Sequence, residues 1–395
     1  RWAFEQEITS QLKDKINWEE VLVVVTVPAS FDDRARATTH KAILNAGFSN
    51  ARLLEEPQAA LYSWIAHNDK SWRHSVSPGD VILICDVGGG TTDFSLVAIC
   101  EEDGNLQLER ISVGRHLLLG GDNMDLALAF ELQKKIHEKE GVDLDSWQLA
   151  SLVSQARVGK EKFSSDKKIS EFAVSIAKRG SSLLGKTIST KLLRTEFEKC
   201  ILDGFFPSVS LGDLPEQESD TGFRELGLPY ESDCAITKHL AQFLNLARRN
   251  LDSSKHLQDI LKDSKSLANK QCIMPTAVLF NGGVFNSSVI ARRICSVLKD
   301  WNNCNEIKLL SSQDLDFAVS RGASYYGKMK RSGKGMRVRA GTSRSYYLGV
   351  EASSMAVPGM KPMVNGLCVV PQGTEEGSKL PRLSKEFGLV TGRKV

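Results

Sequence analysis

Short apolar runs alternate with helix-like patterns in the first part of the chain. Residues 21–27 are mostly β-branched, which is typical of a strand buried on both faces, and Pro28 ends this run. Asp32 or Asp33 is placed to cap the helix that follows, and Gly47 is placed to close it. This alternation predicts an α/β protein.

Two further strands precede a cluster of glycines. A short strand at residues 53–54 leads to Pro57, which suits the first position of a helix that runs through Ile65. Residues 81–85 form a third apolar strand, and three consecutive glycines follow shortly after it. These elements have the length and spacing of a sheet covered by helices.

The glycines join one strand to another strand. Apolar and polar residues alternate at 94–99, and Asp103, Gly104 and Asn105 predict a turn into a strand at 106–113. The elements predicted after this hairpin are helices at 122–140 and 145–163, a β segment at 169–188, a helix at 194–203, a loop or insertion at 207–232, a helix at 235–262, a strand–glycine–helix unit at 276–300, a strand at 306–310 and a helix at 316–329.

The C-terminal part has a different character. Residues 328–335 are basic and interrupted by glycine, which predicts a linker, and the sequence from residue 346 onward is rich in Gly, Pro and β-formers without a helical period. The predicted domains are a partial α/β domain at 1–330, a linker at 331–340 and a partial β domain at 341–395.

Composition places the chain among ordinary globular proteins. Hydrophobic residues make up 41% and charged residues 25% of 395 residues, and such a length predicts more than one domain or lobe. The net charge of +3 is too small to indicate a nucleic-acid partner. No uninterrupted apolar stretch approaches about 18 residues, so no membrane-spanning helix is predicted.

The termini and cysteines narrow the context. The chain opens at Arg1 without an initiator Met or the layout of a signal peptide, in what reads as the middle of a helix, so we expect an N-terminally truncated protein. Its eight cysteines are scattered without CxxC spacing. This favours a reduced, cytoplasmic protein over a disulfide framework or a zinc site.

The strongest chemical signal is a glycine turn between two acids. Glycines at 88–90 allow backbone N–H groups to converge on an anion, and Asp86 and Asp93 flank them. Both carboxylates suit hydrated Mg²⁺, and Thr91 adds a hydroxyl beside a bound phosphate. GK[ST] is absent and a strand follows the turn, so this is not a P-loop. The plain alternative is a glycine-rich hairpin with solvated acids.

Two weaker motifs also point to anions or metal-bound water. Glu56 precedes Pro57 at a strand-to-helix junction, where a carboxylate reaches metal-bound water or simply favours the helix N-terminus. Gly120, Gly121 and Asp122 precede a helix and offer free N–H groups to phosphate, or form an ordinary turn and cap.

A further set of candidates lies later in the chain. Arg157, Lys160 and Ser164 share one helix face, which suits contacts with an adenosine or a solvated basic surface. Gly282 and Gly283 stand between a strand and a helix, where they allow close approach of a flat ring or tight backbone packing.

In this order, the motifs resemble those of the bacterial, DnaK-like chaperones of the seventy-kilodalton heat-shock family, in the actin-like superfamily. The resemblance covers about residues 1 to 330 and is closest to a divergent, large bacterial branch. The segments that carry it are residues 24–31 with Arg36, Glu56 with Pro57, residues 86–93, residues 119–122, residues 159–165, residues 281–283, and Asp316 with Gly322 and Ala323.

The resemblance implies a two-lobed, actin-like (ribonuclease H-like) ATPase domain, incomplete at its N-terminus, that uses ATP/ADP and Mg²⁺. It assigns Asp86 and Asp93 to Mg²⁺ or its waters, Glu56 to the attacking water, and Thr91 to the γ-phosphate. The residues that it assigns to nucleotide binding are Gly88, Gly89, Gly90, Thr92, Gly120, Gly121, Asp122, Arg157, Lys160, Ser164, Gly282, Gly283, Val284, Asn286 and Asp316.

The resemblance also implies partners and departures. Client polypeptides and co-chaperones are the expected partners, with no nucleic acid or membrane, and residues 344–350 and 368–377 resemble the opening of a peptide-binding β domain. Arg157 replaces a usual acid and Asn286 a usual arginine. The family's first phosphate loop and catalytic lysine belong upstream of Arg1, so we expect this chain alone to be a weak or inactive ATPase.

Two alternatives remain open on the sequence. A sugar or small-molecule kinase of the same superfamily shares the aspartate–glycine turn, and sugar-dependent ATP turnover would identify it. A nucleotide-sensing or structural module would bind ATP tightly and cleave little of it.

Overall fold

The computed structural model describes most of the chain. The residues that it describes are 5–7, 17–102, 104–177, 187–216, 230–252, 254–262, 264–303, 305–311, 314–333, 338–339, 341–342, 345–351, 363–371 and 374. The described strands are β1 (Val23–Val27), β2 (Ala51–Glu55), β3 (Val81–Val87), β4 (Thr92–Glu102), β5 (Asn105–Val113), β6 (Glu171–Ala177), β7 (Thr187–Leu193), β8 (Ala277–Asn281), β9 (Lys308–Leu310), β10 (Val338–Arg339), β11 (Tyr346–Glu351) and β12 (Val364–Val370).

Helices separate and cover these strands. The described α-helices are α1 (Asp33–Asn45), α2 (Glu56–Asn68), α3 (Gly121–Glu140), α4 (Ser146–Ser165), α5 (Arg194–Glu198), α6 (Ile236–Asp252), α7 (Lys255–Leu261), α8 (Ser288–Trp301) and α9 (Ala318–Ser332). Short 3₁₀ segments lie at Asp69–His74, Lys265–Leu267 and Gly283–Asn286, and a π-helical turn at Lys199–Asp203 continues α5.

A mixed sheet forms the centre of the molecule, with strand order β10-β5-β4-β3-β8-β9. Strands β3, β4 and β5 are antiparallel neighbours, whereas β3 pairs in parallel with β8, and β8 with β9. This arrangement confirms the predicted α/β fold class, and it confirms that the glycines connect two strands of one hairpin.

Both faces of the central sheet are covered, because successive residues of its strands point to opposite sides. On β3, Leu83 and Cys85 belong to one core and Ile82 and Ile84 to the other. Helices α3, α4, α6 and α8 supply the first core, and helices α2 and α9 supply the second. The ends of these strands are therefore positioned by apolar packing on both sides of the sheet.

Strands β1 and β2 form a separate, two-stranded parallel sheet. The predicted burial of β1 on both faces is wrong, because only Val27 is buried and the preceding four residues are half-exposed. Among the described strands, β1 pairs with β2 alone, so one of its edges has no described neighbour. A run of β-branched residues predicts a strand, but it does not predict whether one or both faces of that strand are buried.

The predicted helix cap and glycine turns are confirmed by the structure. The Asp32 carboxylate accepts a hydrogen bond from the Ala35 N–H at 2.8 Å and begins α1, and Gly47 follows its end with a φ of 85°. Gly104 turns β4 into β5 with a φ of 74°, a left-handed conformation that favours glycine. Helix α2 begins at Glu56, one residue before the predicted Pro57.

Longer elements differ from their predicted bounds. The predicted helix at 235–262 is two helices, because the Ser254 hydroxyl accepts from the Leu257 N–H and starts α7. The segment at 169–188 is the first part of an antiparallel hairpin, β6–β7, and the helix at 194–203 ends in the π-helical turn. The helix predicted at 316–329 runs from Ala318 to Ser332, so the first residues assigned to a linker are helical.

Part of the predicted linker joins the central sheet. Val338 and Arg339 form β10, which pairs in parallel with Leu108 and Glu109 of β5. Beyond it, β11 and β12 form an antiparallel hairpin within the predicted β domain. Residues 375–395, and residues 217–229 of the predicted insertion, lie outside the described residues.

Two general properties concern the described residues only. Their cysteines are free, whereas Cys304 lies outside them. None of their helices combines the length and the apolar character that a membrane span needs. The cytoplasmic location stays a prediction.

We predict that Gly322→Ala destabilises the fold, whereas Gly327→Ala in the same helix does not. A Cβ at Gly322 would overlap the backbone carbonyl of Ala59, where α9 crosses α2, so the helices must separate at a cost of about 1–3 kcal/mol or more. A Cβ at Gly327 would make an ordinary 3.4 Å contact with Val24, so alanine should be neutral or stabilise by up to about 1 kcal/mol.

Denaturant unfolding of both variants checks this expectation. Equal midpoints for the two variants would contradict the assigned crossing of α2 and α9.

Candidate functional site

The glycine turn between β3 and β4 packs directly on the first turn of α3. The Gly121 N–H donates to the Gly88 carbonyl at 3.0 Å, and the Asp122 N–H donates to the Gly89 carbonyl at 2.7 Å. A Cβ at Gly120 would lie 2.6 Å from the Gly89 carbonyl oxygen, so this position requires glycine. The start of α3 and the turn thus fix one another.

This packing decides which amides remain available to a ligand. Gly88 donates its N–H to the Thr91 carbonyl at 2.9 Å within the turn. No acceptor among the described residues takes the N–H of Gly89 or Gly90. The Gly121 N–H, which is predicted to bind phosphate, donates to the Gly88 carbonyl in this structure, and Gly89 and Gly90 carry the open amides.

The two acids of the turn face each other across the strand pair. Asp86 of β3 lies opposite Asp93 of β4. The Asn281 side chain donates to Asp86 at 2.7 Å, and the Ser30 hydroxyl donates to Asp93 at 3.1 Å. Because four different segments of the chain meet here, the predicted carboxylate pair is brought together by the tertiary fold.

Glu56 is a third acid near this pair, and it follows the last strand of the smaller sheet. It is the first residue of α2, directly after β2. Burial, and then the charges of Asp86 and Asp93, raise the pKa of Glu56 to about 7. Burial likewise raises the pKa of Asp86 to about 6, against the hydrogen bond from Asn281 and with a smaller contribution from Asp93. The three predicted acids therefore form one electrostatic cluster.

His116 is a member of the cluster that the sequence did not reveal. Its Nδ1 lies 3.1 Å from Oδ2 of Asp93, and its ring meets that of Phe31 edge to face. The hydrogen bond to Asp93 raises the pKa of His116, against the effect of burial. His116 follows β5 in a loop, where no local pattern marks it as a neighbour of Asp93.

The arrangement of carboxylates fits a hydrated Mg²⁺. Among the described residues, no group of three or more His, Cys, Asp or Glu side chains forms a complete metal-binding set. Mg²⁺ commonly keeps several waters and takes only one or two carboxylates together with substrate phosphates. The buried Asp93 and the half-buried Asp86, which face each other, match that requirement.

A cleft of about 850 Å³ opens beside the turn. Its size is within the range of small-molecule sites in proteins. The predicted residues that line it are Gly88, Gly89, Gly121, Asp122, Arg157, Lys160, Ser164, Gly283, Val284, Asn286 and Asp316. Residues of five separate segments, predicted from short motifs, thus meet around one cavity.

One wall of this cleft is held by ion pairs between α3 and α4. Asp125 is fully buried, and it pairs with Arg157 at 2.8 Å and with Lys160 at 2.7 Å. Arg157 also binds Asp122 at 2.5 Å, and Lys160 donates to the Gly121 carbonyl at 2.8 Å. Asp125 was not predicted as a site residue from the sequence, although it lies one helical turn after Asp122 on the same face of α3.

Other predicted residues lie near the cleft but are engaged elsewhere. Thr92 is fully buried, and its hydroxyl donates to the Leu119 carbonyl at 2.7 Å, so it supports the turn from inside. Gly282 has a φ of 88° and packs against the Val87 backbone, which is the tight-packing alternative. On the opposite wall, Asn286 donates to Asp316 at 3.4 Å.

Comparison with known proteins identifies the family to which this chain belongs. A family model described as "Hsp70 protein" matches residues 4–207, which is more than half of the chain. The chain therefore belongs to the Hsp70 family, and its mixed α/β architecture agrees with the predicted actin-like ATPase fold. The match contains the glycine turn, Glu56 and Lys160, and it ends before Gly283 and Asp316.

One curated relative has a similar sequence over the same span. "Chaperone protein DnaK" of Carsonella ruddii (strain PV) is 30% identical over 203 residues, which are 50% of this chain and 33% of that protein. The alignment thus spans about a third of the length of the relative.

We predict that Glu56 makes stability depend on pH in the absence of metal and nucleotide. Because the pKa of Glu56 is raised from 4.5 to about 7, the folded state holds a proton that the unfolded chain has released between these values. Stability therefore falls as the pH rises through this window, by about 1–2 kcal/mol after allowance for solvent screening.

Thermal unfolding at a series of pH values from about 5 to about 8 measures the effect, and Glu56→Gln should exceed the wild type in stability by most at about pH 8. Glu101→Gln, which alters an exposed carboxylate of β4, should retain the wild-type dependence. If stability depends on pH in the same way in Glu56→Gln and in the wild type, the pKa of Glu56 is not raised in the folded protein.

Proposed function

We propose that the protein binds ATP or ADP with Mg²⁺ in the cleft beside the glycine turn and transfers the terminal phosphoryl group to water. The observation that carries this proposal is the open amides of Gly89 and Gly90 next to the facing carboxylates of Asp86 and Asp93. Membership of the Hsp70 family supports a chaperone-type ATPase over a sugar kinase.

Each part of the site has a distinct task in this proposal. The amides of Gly89 and Gly90 bind phosphate oxygens without obstruction by side chains. Asp86 and Asp93 hold Mg²⁺ or its waters, and the bound ion supplies charge neutralisation for the phosphates. Glu56, with a pKa of about 7, is suited to orient water and accept its proton near neutral pH.

The remaining wall residues hold the rest of the nucleotide. Lys160 and Ser164 of α4 line the cleft together with Gly283 and Val284, and we assign the base and the ribose to this part of it. Arg157 and Lys160 both line the cleft, and both pair with the buried Asp125. We therefore propose that both side chains contact the nucleotide and that Asp125 fixes their positions.

We propose in addition that the protein binds client polypeptides through its predicted β domain. The hairpin of β11 and β12 exposes large apolar side chains, with relative exposures of 63% at Tyr347, 45% at Leu348, 69% at Met363 and 66% at Val364. Exposed apolar groups of this kind mark interaction surfaces. Co-chaperones remain expected partners on the strength of the family.

We predict that Asp86→Asn in the full-length protein lowers the single-turnover rate of ATP cleavage by about 10²–10³, because a placed charge at the reacting phosphate is lost. Nucleotide binding without Mg²⁺ should change little, since the amides of Gly89 and Gly90 are unaffected. Asp259→Asn, which alters an exposed carboxylate on α7, is the matched control.

Cleavage by quench flow and affinity by fluorescent nucleotide titration measure the two effects separately. Wild-type protein that binds ATP tightly without cleaving it would favour the nucleotide-sensing alternative. Turnover that depends on an added sugar would favour the kinase.

A further inference from the structure

A buried charged triad lies between the two sheets, outside the cleft. Glu55 ends β2, and its carboxylate binds Arg36 of α1 at 2.8 Å and Arg110 of β5. The side chains of Glu55 and Arg110 are only 10% and 5% exposed. A carboxylate held between two arginines thus connects the small sheet to the central sheet.

Such a pair needs an explanation other than stability. Removing two charges from water costs several kcal/mol per ion in proteins, and well-packed apolar residues often stabilise a core equally well. Geometry is what an ion pair of this kind adds, because it allows one relative position of the segments that it joins. The question is which segments Glu55 and Arg110 hold in place.

The first of these segments carries Glu56. Glu55 and Glu56 are consecutive, at the end of β2 and the start of α2. The direction of the Glu55 side chain, fixed by Arg110, therefore constrains the backbone from which Glu56 reaches Asp86 and Asp93.

The second segment is the loop between β1 and α1. Arg36 donates to the carbonyls of Phe31 at 3.0 Å and Ala29 at 3.2 Å, on either side of Ser30. Ser30 in turn donates to Asp93 at 3.1 Å. The same three residues thus fix the position of Ser30, which is the hydrogen-bond donor to Asp93.

Arg110 has a further contact on its other side. Its Nη2 donates to the carbonyl of Gly341 at 2.7 Å, just after β10 pairs with β5. One guanidinium therefore touches both Glu55 and the segment 338–342, although neither Gly341 nor β10 contacts Glu56.

We propose that Glu55 and Arg110 are positioning residues, whose buried pair sets the placement of Glu56 and Ser30 and ties that placement to the segment 338–342. This inference rests on the proposed ATP cleavage for its kinetic consequence. Its structural half, the link from Glu55 through Arg110 to residues 338–342, is independent of any nucleotide. A purely structural ion pair would change stability without changing the reaction selectively.

The test uses Arg110→Met, Glu55→Gln and the double variant in the full-length protein. The matched control is Arg339→Met, which removes the exposed pair of Arg339 with Glu102 from the same segment. The measurements are nucleotide affinity, the single-turnover rate of ATP cleavage, denaturant stability, and hydrogen exchange of the amides at 338–339.

We expect Arg110→Met to slow cleavage by about ten- to a hundred-fold with affinity within about two-fold of the wild type, because misplacement of a reacting group by about 1 Å costs this much. The double variant removes both buried charges, so it should regain most of the stability that Arg110→Met loses and yet remain slow. Arg339→Met should cleave at the wild-type rate. A double variant that regains both stability and rate would overturn the proposal, as would Arg110→Met at the wild-type rate.

Hydrogen exchange separates this inference from the proposed function. Glu55 does not contact residues 338–339 in the described structure, so faster exchange of their amides in Glu55→Gln must pass through Arg110. Glu101→Gln is the control. Unchanged exchange in Glu55→Gln would overturn the inference even if ATP is cleaved, and faster exchange would support it even if wild-type protein cleaves no ATP.

Discussion

The site depends on the contact between the glycine turn and the first turn of α3. Two amides of α3 donate to the carbonyls of Gly88 and Gly89, which holds the turn in one conformation and satisfies orphan donors of the helix. The peptide N–H groups of Gly89 and Gly90 have no acceptor among the described residues. A side chain at Gly120 would end the contact, so the open amides exist only because two glycine segments meet.

A second constraint is the excess of acid beside the turn. Asp86 and Asp93 lie on the central sheet and Glu56 begins α2, and among the described residues His116 is the basic group that pairs with Asp93. Burial of such a cluster raises the pKa of Glu56 and Asp86, so the folded protein holds it at an electrostatic cost. A bound cation would relieve that cost, and this supports the proposed Mg²⁺ site.

The family match and the structure cover different parts of the cleft. The Hsp70 model matches residues 4–207 and so includes the turn, the acids and α4. The opposite wall, with Gly283, Asn286 and Asp316, lies beyond that match. It is the parallel pairing of β8 with β3 that brings this later segment to the turn.

Features that depend on neighbours along the chain could be predicted from the residues alone: the β3–β4 hairpin and its glycines, the cap at Asp32, and the shared face of Arg157, Lys160 and Ser164. Periodicity, capping and turn chemistry are local, so one sequence is enough to recognise them. The folded arrangement was needed to show which amides stay open, that Thr92 turns inward, and that His116 contacts Asp93. These outcomes depend on distant segments competing for the same hydrogen-bond partners, and no local pattern records that competition.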